Sequence, residues 1–326
     1  MICLVTGGAG FIGSHLTEEL LKQGNEVFVV DNFSTGSFKN ICHLKESKNL
    51  HLIITNITDK PTLELLVAQC DVIYHLAAAV GVKRIIQEPV ETIETNILGS
   101  HTILSLAAKY NKKILISSTS EVYGKGNKMP FKEDNDCVLG PTIKNRWSYA
   151  CSKAMDEFLA LAYYKEKGLP IIIARLFNII GPRQTGTYGM VVPTFIEQAL
   201  KGFPITVFGD GKQTRSFTYI NDAVQVMIKL MLHPKSIGDI FNIGNDFEIS
   251  IIELALKIKK KTRSQSKIVY IPYDKAYEEG FEDMLHRVPD ISKIKTLIDY
   301  KFITDLDTAL ELIIKYFIDL GGVTNE

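Results

Sequence analysis

The sequence predicts an α/β fold built on a doubly wound parallel sheet, and three observations support this prediction. Apolar runs typical of strands alternate with helical patterns through the first half of the chain. The first such run ends in Gly7, Gly10 and Gly13, and an amphipathic helix, residues 14–22, follows. The second run ends in Asp31. A strand, a glycine turn, a helix and a second strand in this order indicate a β–α–β unit.

The glycine turn has the form of a dinucleotide-binding loop. Glycines allow the turn to tighten, the backbone to approach a pyrophosphate and the helix to pack closely on its strand. The amino end of the helix then faces the phosphate charge. Asp31 comes about 20 residues later, where an acid hydrogen-bonds the adenosine ribose. A glycine-rich turn without a ligand is the alternative.

The remaining chain extends this pattern and then departs from it. We predict further strands at residues 50–54, 71–78, 113–117 and 171–176, and helices at residues 90–110 and 149–167. Prolines and glycines then become frequent, and the tail from Ser250 onward is mostly helical in pattern. This change predicts a dinucleotide domain and a substrate domain, each made of separated segments. They are residues 1–177 with 214–246, and residues 178–213 with 247–326.

Composition and charge limit the classes of function. The chain has 326 residues, of which 46% are hydrophobic, enough for a sizeable core. Its formal net charge is zero, which gives no electrostatic reason to expect nucleic acid or an anionic membrane as a partner. Five cysteines without metal-type spacing fit a reducing compartment. Because neither a signal-peptide pattern nor an apolar run of about 20 residues occurs, we expect a cytoplasmic protein.

Tyr149 and Lys153 are the leading catalytic candidates. They stand four residues apart, so on a helix they share one face. A nearby ammonium favours the phenolate, and we therefore expect the pKa of Tyr149 to lie below its usual value of about 10. The alternative is a helix with a half-buried tyrosine and a surface lysine.

The ends of two predicted strands carry polar side chains. Thr119, Ser120 and Glu121 follow the fifth strand, and turn chemistry alone does not explain the acid. His75 ends the fourth strand, and we interpret it as packed beneath a ligand rather than as a catalytic base. Residues 125–146 form a polar loop that we expect to lie over the site. The helix after this loop is apolar on more than one side, which indicates a subunit contact.

Taken together, these motifs resemble a known family. The set comprises Thr6-Gly7-x-x-Gly10-x-x-Gly13, Asp31, Thr119, Tyr149-x-x-x-Lys153 and Arg175-Leu176-Phe177-Asn178. It is similar to the extended short-chain dehydrogenases, and within them to the nucleotide-sugar epimerases, dehydratases and decarboxylases. The resemblance covers nearly the whole chain. It implies a Rossmann-type domain with a smaller mixed α/β substrate domain, NAD as cofactor, a UDP-linked sugar as substrate, and a homodimer with a shared helical bundle.

The resemblance also implies roles for individual residues. Tyr149 takes the proton of the sugar 4-hydroxyl, Lys153 lowers the pKa of Tyr149 and holds the nicotinamide ribose, and Asp31 favours NAD over NADP. The full catalytic set is Thr119, Ser120, Glu121, Tyr149, Lys153 and Arg215. The cofactor set is Gly7, Gly10, Phe11, Ile12, Gly13, Asp31, Asn32, Ser34, Thr35, Gly36, Asn56, Ile57, Leu76, Ala77, Ala78 and Lys153. The substrate set is Lys83, Asn178, Val191, Val192, Arg215 and Arg287.

The pair Ser120-Glu121 favours one reaction within the family. It resembles the pair in uronate decarboxylases, as does the segment 213–217. Oxidation of C4 of a hexuronate gives a β-keto acid, which loses carbon dioxide readily because electrons flow into the new carbonyl. A substrate carboxylate would raise the pKa of Glu121, so that it stays protonated and delivers a proton to C5. We therefore predict a UDP-glucuronate decarboxylase that makes UDP-xylose or its 4-keto precursor.

Three alternative functions remain open from the sequence. Within the family they are a 4-epimerase of UDP-glucose or UDP-glucuronate and, after it, a 4,6-dehydratase. Outside the family stands a regulator that binds NAD and a sugar nucleotide without turnover. The presence of Thr119, Tyr149 and Lys153 argues against the regulator.

Overall fold

A seven-stranded parallel sheet is the centre of the molecule. The computed structural model describes residues 1–81, 87–187, 189–272, 284 and 286–321. Their strands are β1 (Ile2–Thr6), β2 (Glu26–Asp31), β3 (Leu50–Ile54), β4 (Val72–His75), β5 (Lys113–Thr119), β6 (Ile171–Leu176), β7 (Ile179–Ile180), β8 (Ile205–Phe208), β9 (Thr214–Ser216), β10 (Thr218–Tyr219), β11 (Asp239–Ile243), β12 (Glu248–Ser250) and β13 (Ile268–Ile271). The sheet has the order β11-β6-β5-β4-β1-β2-β3. Its strand order reverses between β1 and β4, the place where open parallel sheets bind ligands.

Helices cover both faces of this sheet. They are α1 (Phe11–Lys22), α2 (Lys60–Gln69), α3 (Pro89–Lys109), α4 (Arg146–Lys167), α5 (Val191–Leu200), α6 (Ile220–Leu232), α7 (Ile251–Lys261), α8 (Ser292–Ile298) and α9 (Leu306–Asp319). Alternate residues of β1 enter opposite cores: Cys3 and Val5 pack in one with α1 and α6, and Leu4 packs in the other with α2, α3 and α4. This alternation follows from the period of two along a strand. The predicted doubly wound α/β fold is confirmed.

Three short two-stranded sheets lie outside the central one. β10 pairs with β7 and β13 with β8 in parallel, and β12 pairs with β9 in antiparallel orientation. The tail from Ser250 onward contains α7, α8 and α9, as its pattern predicts, and also the strand β13, which was not predicted. Each of these strands pairs with a segment far away in sequence, and such pairing leaves no local pattern.

Element boundaries follow the predictions closely where the apolar pattern is strong. The third and sixth strands have the predicted bounds, whereas α1 begins at Phe11, three residues early. The difference at α1 arises because Gly10 precedes the helix without a side-chain cap, so no polar residue marks the start. None of the described helices is long and apolar enough to cross a membrane.

Candidate active site

The glycine turn between β1 and α1 is as tight as its residues allow. Gly7 has a φ of +72°, and a Cβ on Gly7 would lie 2.7 Å from the backbone nitrogen of Ala77. A Cβ on Gly13 would lie 2.1 Å from the carbonyl oxygen of Gly7. Any side chain at either position would displace backbone rather than a flexible group. The turn therefore lies directly against the carboxyl end of β4, where Leu76, Ala77 and Ala78 are partly exposed.

Asp31 ends β2 beside this turn. Its two carboxylate oxygens accept hydrogen bonds from the backbone N–H groups of Ala9 at 2.9 Å and Phe33 at 2.8 Å. Burial raises the pKa of Asp31, and backbone hydrogen bonds oppose that rise. A Cβ on Gly36 would lie 2.9 Å from both carboxylate oxygens, so glycine is what allows the loop to fold over Asp31.

The other proposed cofactor residues lie at the same edge of the sheet. Asn32 accepts a hydrogen bond from the backbone of Ser34 at 3.0 Å, in the exposed loop that continues through Thr35. Asn56 follows β3, and its side-chain amide oxygen accepts two hydrogen bonds from Thr58. This oxygen therefore already has partners within its own loop. The remaining members, Phe11 and Ile12 in the first turn of α1 and Ile57 after Asn56, are partly or fully buried.

Thr119 and Tyr149 meet where β5 ends against α4. The Thr119 hydroxyl accepts a hydrogen bond from the backbone of Glu121 at 3.3 Å and is hydrogen-bonded to the Tyr149 phenol. The pKa of Tyr149 is raised, first by burial and then by the negative charges of Glu121 and Asp156. The charge of Arg146 and the Thr119 hydrogen bond oppose this rise. The expectation of a lowered pKa is therefore wrong for the ligand-free protein.

Lys153 explains why that expectation failed. Its ammonium nitrogen lies 2.8 Å from a carboxylate oxygen of Asp156, one turn further along α4. Both side chains are buried. The favourable field of the ammonium at Tyr149 is thus offset by a carboxylate next to it.

Glu121 lies among arginine side chains. It forms an ion pair with Arg146, and Arg287 approaches its other oxygen at 3.5 Å. Burial raises the pKa of Glu121, but the charges of Arg146, Arg287 and Arg215 outweigh burial and lower the pKa to about 2. In the ligand-free protein Glu121 is therefore a carboxylate, and its protonation beside a substrate carboxylate stays a prediction. Ser120 beside it is buried in the short 3-10 turn Ser120–Tyr123.

Strand β9 brings the proposed substrate residues together. The Ser216 carbonyl accepts a hydrogen bond from the side-chain amide of Asn178 at 2.8 Å. Ser216 also donates from its backbone N–H and its hydroxyl to the carbonyl of Arg287. Arg215 is the preceding residue of the same strand, and its guanidinium is buried. Ser216 and its strand therefore bring together residues 178, 215 and 287, which are far apart in sequence.

Other proposed residues lie elsewhere. Val191 and Val192 begin α5, and the Val192 side chain is turned into the core, which leaves its main chain for any ligand contact. Lys83 lies outside the described residues. His75 is buried between the hydroxyls of Thr6 and Ser100, and burial lowers its pKa to about 3. A neutral, enclosed imidazole agrees with the interpretation of His75 as a packed residue.

Sequence reasoning missed Arg146 and Asp156. Arg146 was assigned to the end of the polar loop, but it is the first residue of α4 and is buried. The available signal was spacing: Arg146 precedes Tyr149 by three residues, and Asp156 follows Lys153 by three. At helical spacing all four share a face.

Two further contacts fix α4 against its surroundings. Glu157 forms a bidentate ion pair with Arg175 of β6, at 2.9 and 2.7 Å, and also accepts a hydrogen bond from Ser118. Trp147 is buried beneath the loop before α4, and a Cβ on Gly140 would lie 2.1 Å from the indole nitrogen. The loop therefore rests directly on the indole ring.

Comparison with known proteins identifies the family. The family described as GDP-mannose 4,6 dehydratase matches residues 4–313. The chain belongs to this family. A relative from Bacillus cytotoxicus, named UDP-N-acetyl-alpha-D-glucosaminuronate decarboxylase, is 48% identical over 97% of each chain. UDP-glucuronic acid decarboxylase 1 from Danio rerio is 38% identical over 96% of this chain and 72% of its own length.

Solved structures of nucleotide-sugar enzymes share the fold. UDP-glucuronic acid 4-epimerase from Bacillus cereus, a complex with UDP-glucuronic acid and NAD, superposes with a TM-score of 0.89 at 31% identity, over 98% of this chain and all of the other. The dTDP-glucose 4,6-dehydratase from Bacillus anthracis, in complex with NAD, gives a TM-score of 0.85 at 27% identity, over 98% of this chain and 97% of the other. Because decarboxylases, epimerases and dehydratases share this fold, the reaction must be argued from the site.

Proposed function

We propose that this protein is an NAD-dependent decarboxylase of a UDP-linked hexuronate that acts through transient oxidation at C4. The observation that carries the proposal is a cluster of arginines around Glu121, next to Thr119 and Tyr149. Arg146 and Arg287 contact the carboxylate, and the charge of Arg215 also acts on it. Guanidinium groups bind carboxylates in preference to neutral hydroxyl groups. A uronate brings a second carboxylate to this cluster, whereas a neutral hexose does not. The names of the relatives from Bacillus cytotoxicus and Danio rerio favour the same choice.

The residues around the glycine turn fit a dinucleotide. Gly7 and Gly13 keep backbone close to backbone where any side chain would collide, and Asp31 offers a carboxylate that repels a ribose 2′-phosphate. The structural neighbours that contain NAD support the same cofactor here. Bound NAD⁺ would supply a reversible oxidant for C4 of the sugar.

Tyr149 and Thr119 handle the proton of the sugar 4-hydroxyl. The two hydroxyl groups lie next to each other, so both can contact the same oxygen atom of a bound sugar. Because the pKa of Tyr149 is raised, its phenol stays protonated in the ligand-free protein. When ligands change the charges around it, the phenol releases its proton to solvent, and the phenolate then takes the proton of the sugar 4-hydroxyl. Tyr149 returns that proton to the C4 oxygen when C4 is reduced at the end of the reaction.

Glu121 begins the reaction as a carboxylate and ends it as a proton donor. A substrate carboxylate that binds Arg215 and Arg287 removes part of the charge that stabilises the Glu121 anion and adds a like charge beside it. Both changes raise the pKa of Glu121 from about 2. Glu121 then takes up a proton and delivers it to C5 after carbon dioxide has left. Arg146 holds the Glu121 side chain in place throughout.

Product mass separates this function from its alternatives. Incubation with UDP-glucuronate and NAD⁺ should give a product lighter by carbon dioxide. An unchanged mass would indicate the 4-epimerase, and loss of water from a UDP-hexose would indicate the 4,6-dehydratase. If no candidate sugar changes the absorbance of bound NAD and no product forms, the regulator is the correct description.

Changing Glu121 to Gln tests the step specific to decarboxylation. We expect Glu121→Gln to lower turnover by about 100-fold or more, the usual contribution of a positioned proton donor, while NAD binding is retained. The matched control is Glu46→Gln, the same change at a side chain that is 89% exposed. Turnover near that of the unmodified protein in Glu121→Gln would remove Glu121 from the mechanism.

The N-acetylated uronate is a second candidate substrate, because the relative that is 48% identical is named for it. Steady-state kinetics with UDP-glucuronate and UDP-N-acetylglucosaminuronate should show which sugar has the larger kcat/KM. Decarboxylation of either supports the proposed reaction class. A larger kcat/KM for the N-acetylated sugar would correct the sequence-based prediction of UDP-glucuronate.

We also propose that the protein is a homodimer. Val90 and Leu98 on α3, and Met155 and Phe158 on α4, are all at least half exposed, and the two helices pack side by side. Large apolar side chains on two adjacent helices are typical of an interface. Light scattering should give twice the mass of one chain, and the mass of a single chain would contradict the dimer.

The division into domains and the compartment remain proposals. We place the dinucleotide domain at residues 1–177 with 214–246 and the substrate domain at residues 178–213 with 247–326. We also propose a cytoplasmic location, which agrees with the five free cysteines. Limited proteolysis tests the domain boundaries, and cell fractionation tests the compartment.

A further inference from the structure

Lys153 and Asp156 form an ion pair inside the protein. The ammonium nitrogen lies 2.8 Å from the carboxylate oxygen, and the two residues are 2% and 1% exposed. Two charges are tolerated in such a place only when each is paired with the other. Lys153 is therefore held by a carboxylate on the same face of α4 as Tyr149.

The elements packed against this pair add little charge of their own. From β4, His75 faces Lys153, but burial and then the charge of Lys153 lower the pKa of His75 to about 3, so it is neutral near neutral pH. From α3, the neutral amide of Asn96 donates a hydrogen bond to Ser152 at 3.2 Å. From β6, Arg175 is neutralised by its ion pair with Glu157.

A second ion pair, at the end of β5, also acts on Tyr149. Glu121 raises the pKa of Tyr149, and its ion-pair partner Arg146 lowers it. Tyr149 is thus flanked along α4 by two ion pairs, the partly buried pair of Glu121 with Arg146 and the buried pair of Lys153 with Asp156. In the pair with Lys153, Asp156 raises the pKa of Tyr149.

We propose that Asp156 is a positioning residue of the active site, which holds the Lys153 ammonium on α4 and keeps the Tyr149 phenol protonated until ligands bind. The proposal rests on the proposed function in one respect, the use of Tyr149 as a base. The physical reason is that a carboxylate opposes a phenolate directly and also offsets the ammonium that would favour it.

Asp156 also determines which donors of Lys153 remain available. An ammonium has three N–H donors, and the carboxylate of Asp156 accepts one of them. Two donors are left for the hydroxyl groups of a dinucleotide ribose. Since the Lys153 side chain is anchored, these two donors keep a fixed direction before the ligand arrives, which lowers the entropic cost of binding.

The test is a titration of the Tyr149 phenol by ultraviolet difference spectroscopy, with each protein measured against the same protein carrying Tyr149→Phe. In Asp156→Asn, which keeps the shape and a hydrogen-bond acceptor, we expect the midpoint to move down by about one pH unit, a roughly tenfold larger phenolate fraction at fixed pH. The matched control is Glu166→Gln, a charge removal at an exposed position of α4, and its midpoint should not move. An unchanged or raised midpoint in Asp156→Asn would overturn the proposal.

A double variant keeps the test decisive if Asp156→Asn does not fold. Lys153→Met combined with Asp156→Asn removes both buried charges together, which folded proteins often tolerate. If the two charges offset each other at Tyr149, the midpoint of the double variant stays within about half a unit of the unmodified protein. A large rise would mean that Lys153 acts on Tyr149 without compensation, and Asp156 would lose its role. Because the titration needs neither substrate nor turnover, its result stands whichever sugar the enzyme uses.

Discussion

Two glutamate–arginine pairs lie near the end of β5, one buried and one partly buried, and they differ in how many close hydrogen bonds hold the carboxylate. Glu157 and Arg175 form two short hydrogen bonds, and Ser118 adds a third. Glu121 has one close arginine, Arg146, and a second contact only at 3.5 Å. The carboxylate of Glu157 is held by one arginine and a serine, whereas the carboxylate of Glu121 is under the charge of three arginines. The first arrangement suits a structural role, and the second suits binding of another anion.

We expect the largest effect when the pair of Glu157 and Arg175 is broken. Glu157→Gln leaves the Arg175 guanidinium buried without its carboxylate, and we expect the free energy of unfolding to fall by about 3–5 kcal/mol. Urea unfolding followed by circular dichroism measures this loss, with Glu46→Gln as the exposed control. A loss below about 1 kcal/mol would mean that the pair is not structural.

Breaking the pair of Glu121 and Arg146 should lower activity more than it lowers the free energy of unfolding. Arg146→Met removes the cation closest to Glu121, but Arg287 and Arg215 remain, so we expect a smaller loss of stability than in Glu157→Gln. Decarboxylation should fall by about 100-fold, because Glu121 is no longer held in place. Arg146→Lys, which keeps the charge, should recover part of this activity. Equal stability losses in Arg146→Met and Glu157→Gln would remove the distinction between the pairs.

The smallest expected effect is on how the free energy of unfolding depends on pH in acid. The pKa of Glu121 is lowered on folding from 4.5 to about 2, so its contribution to stability is complete above about pH 4.5 and is lost as the pH falls toward 2. Between about pH 5 and about pH 3 this loss amounts to about 2 kcal/mol. Glu121→Gln should therefore show a flatter dependence of unfolding free energy on pH over this window. Parallel curves for the two proteins would show that Glu121 is not held ionised.

The features that sequence predicts well in this protein are those set by local sterics. The glycine spacing of the first turn predicts close backbone approach, and the structure places Gly7 and Gly13 where no Cβ fits. The strands at residues 50–54 and 171–176 have their predicted bounds because apolar runs determine them.

The protonation states could not be predicted in the same way, because they depend on charges brought together by the fold. Arg287 lies 166 residues from Glu121 in the chain, and only the β9 region brings it close. Asp156 is near Lys153 in sequence, but spacing alone does not show that the two side chains turn toward each other. The prediction for Tyr149 considered one neighbouring charge where the structure presents several.

Trp147, the only tryptophan of the chain, belongs to the first turn of α4, and its indole ring lies against Gly140 of the preceding loop. Its ring is 5.6 Å from the ammonium of Lys125 and 5.9 Å from the guanidinium of Arg146. Indole emission shifts with nearby charge, so the protein carries an intrinsic fluorophore beside its reactive centre. Rapid-mixing fluorescence can therefore follow the arrival of a sugar nucleotide in unlabelled protein, on a timescale that product assays do not reach.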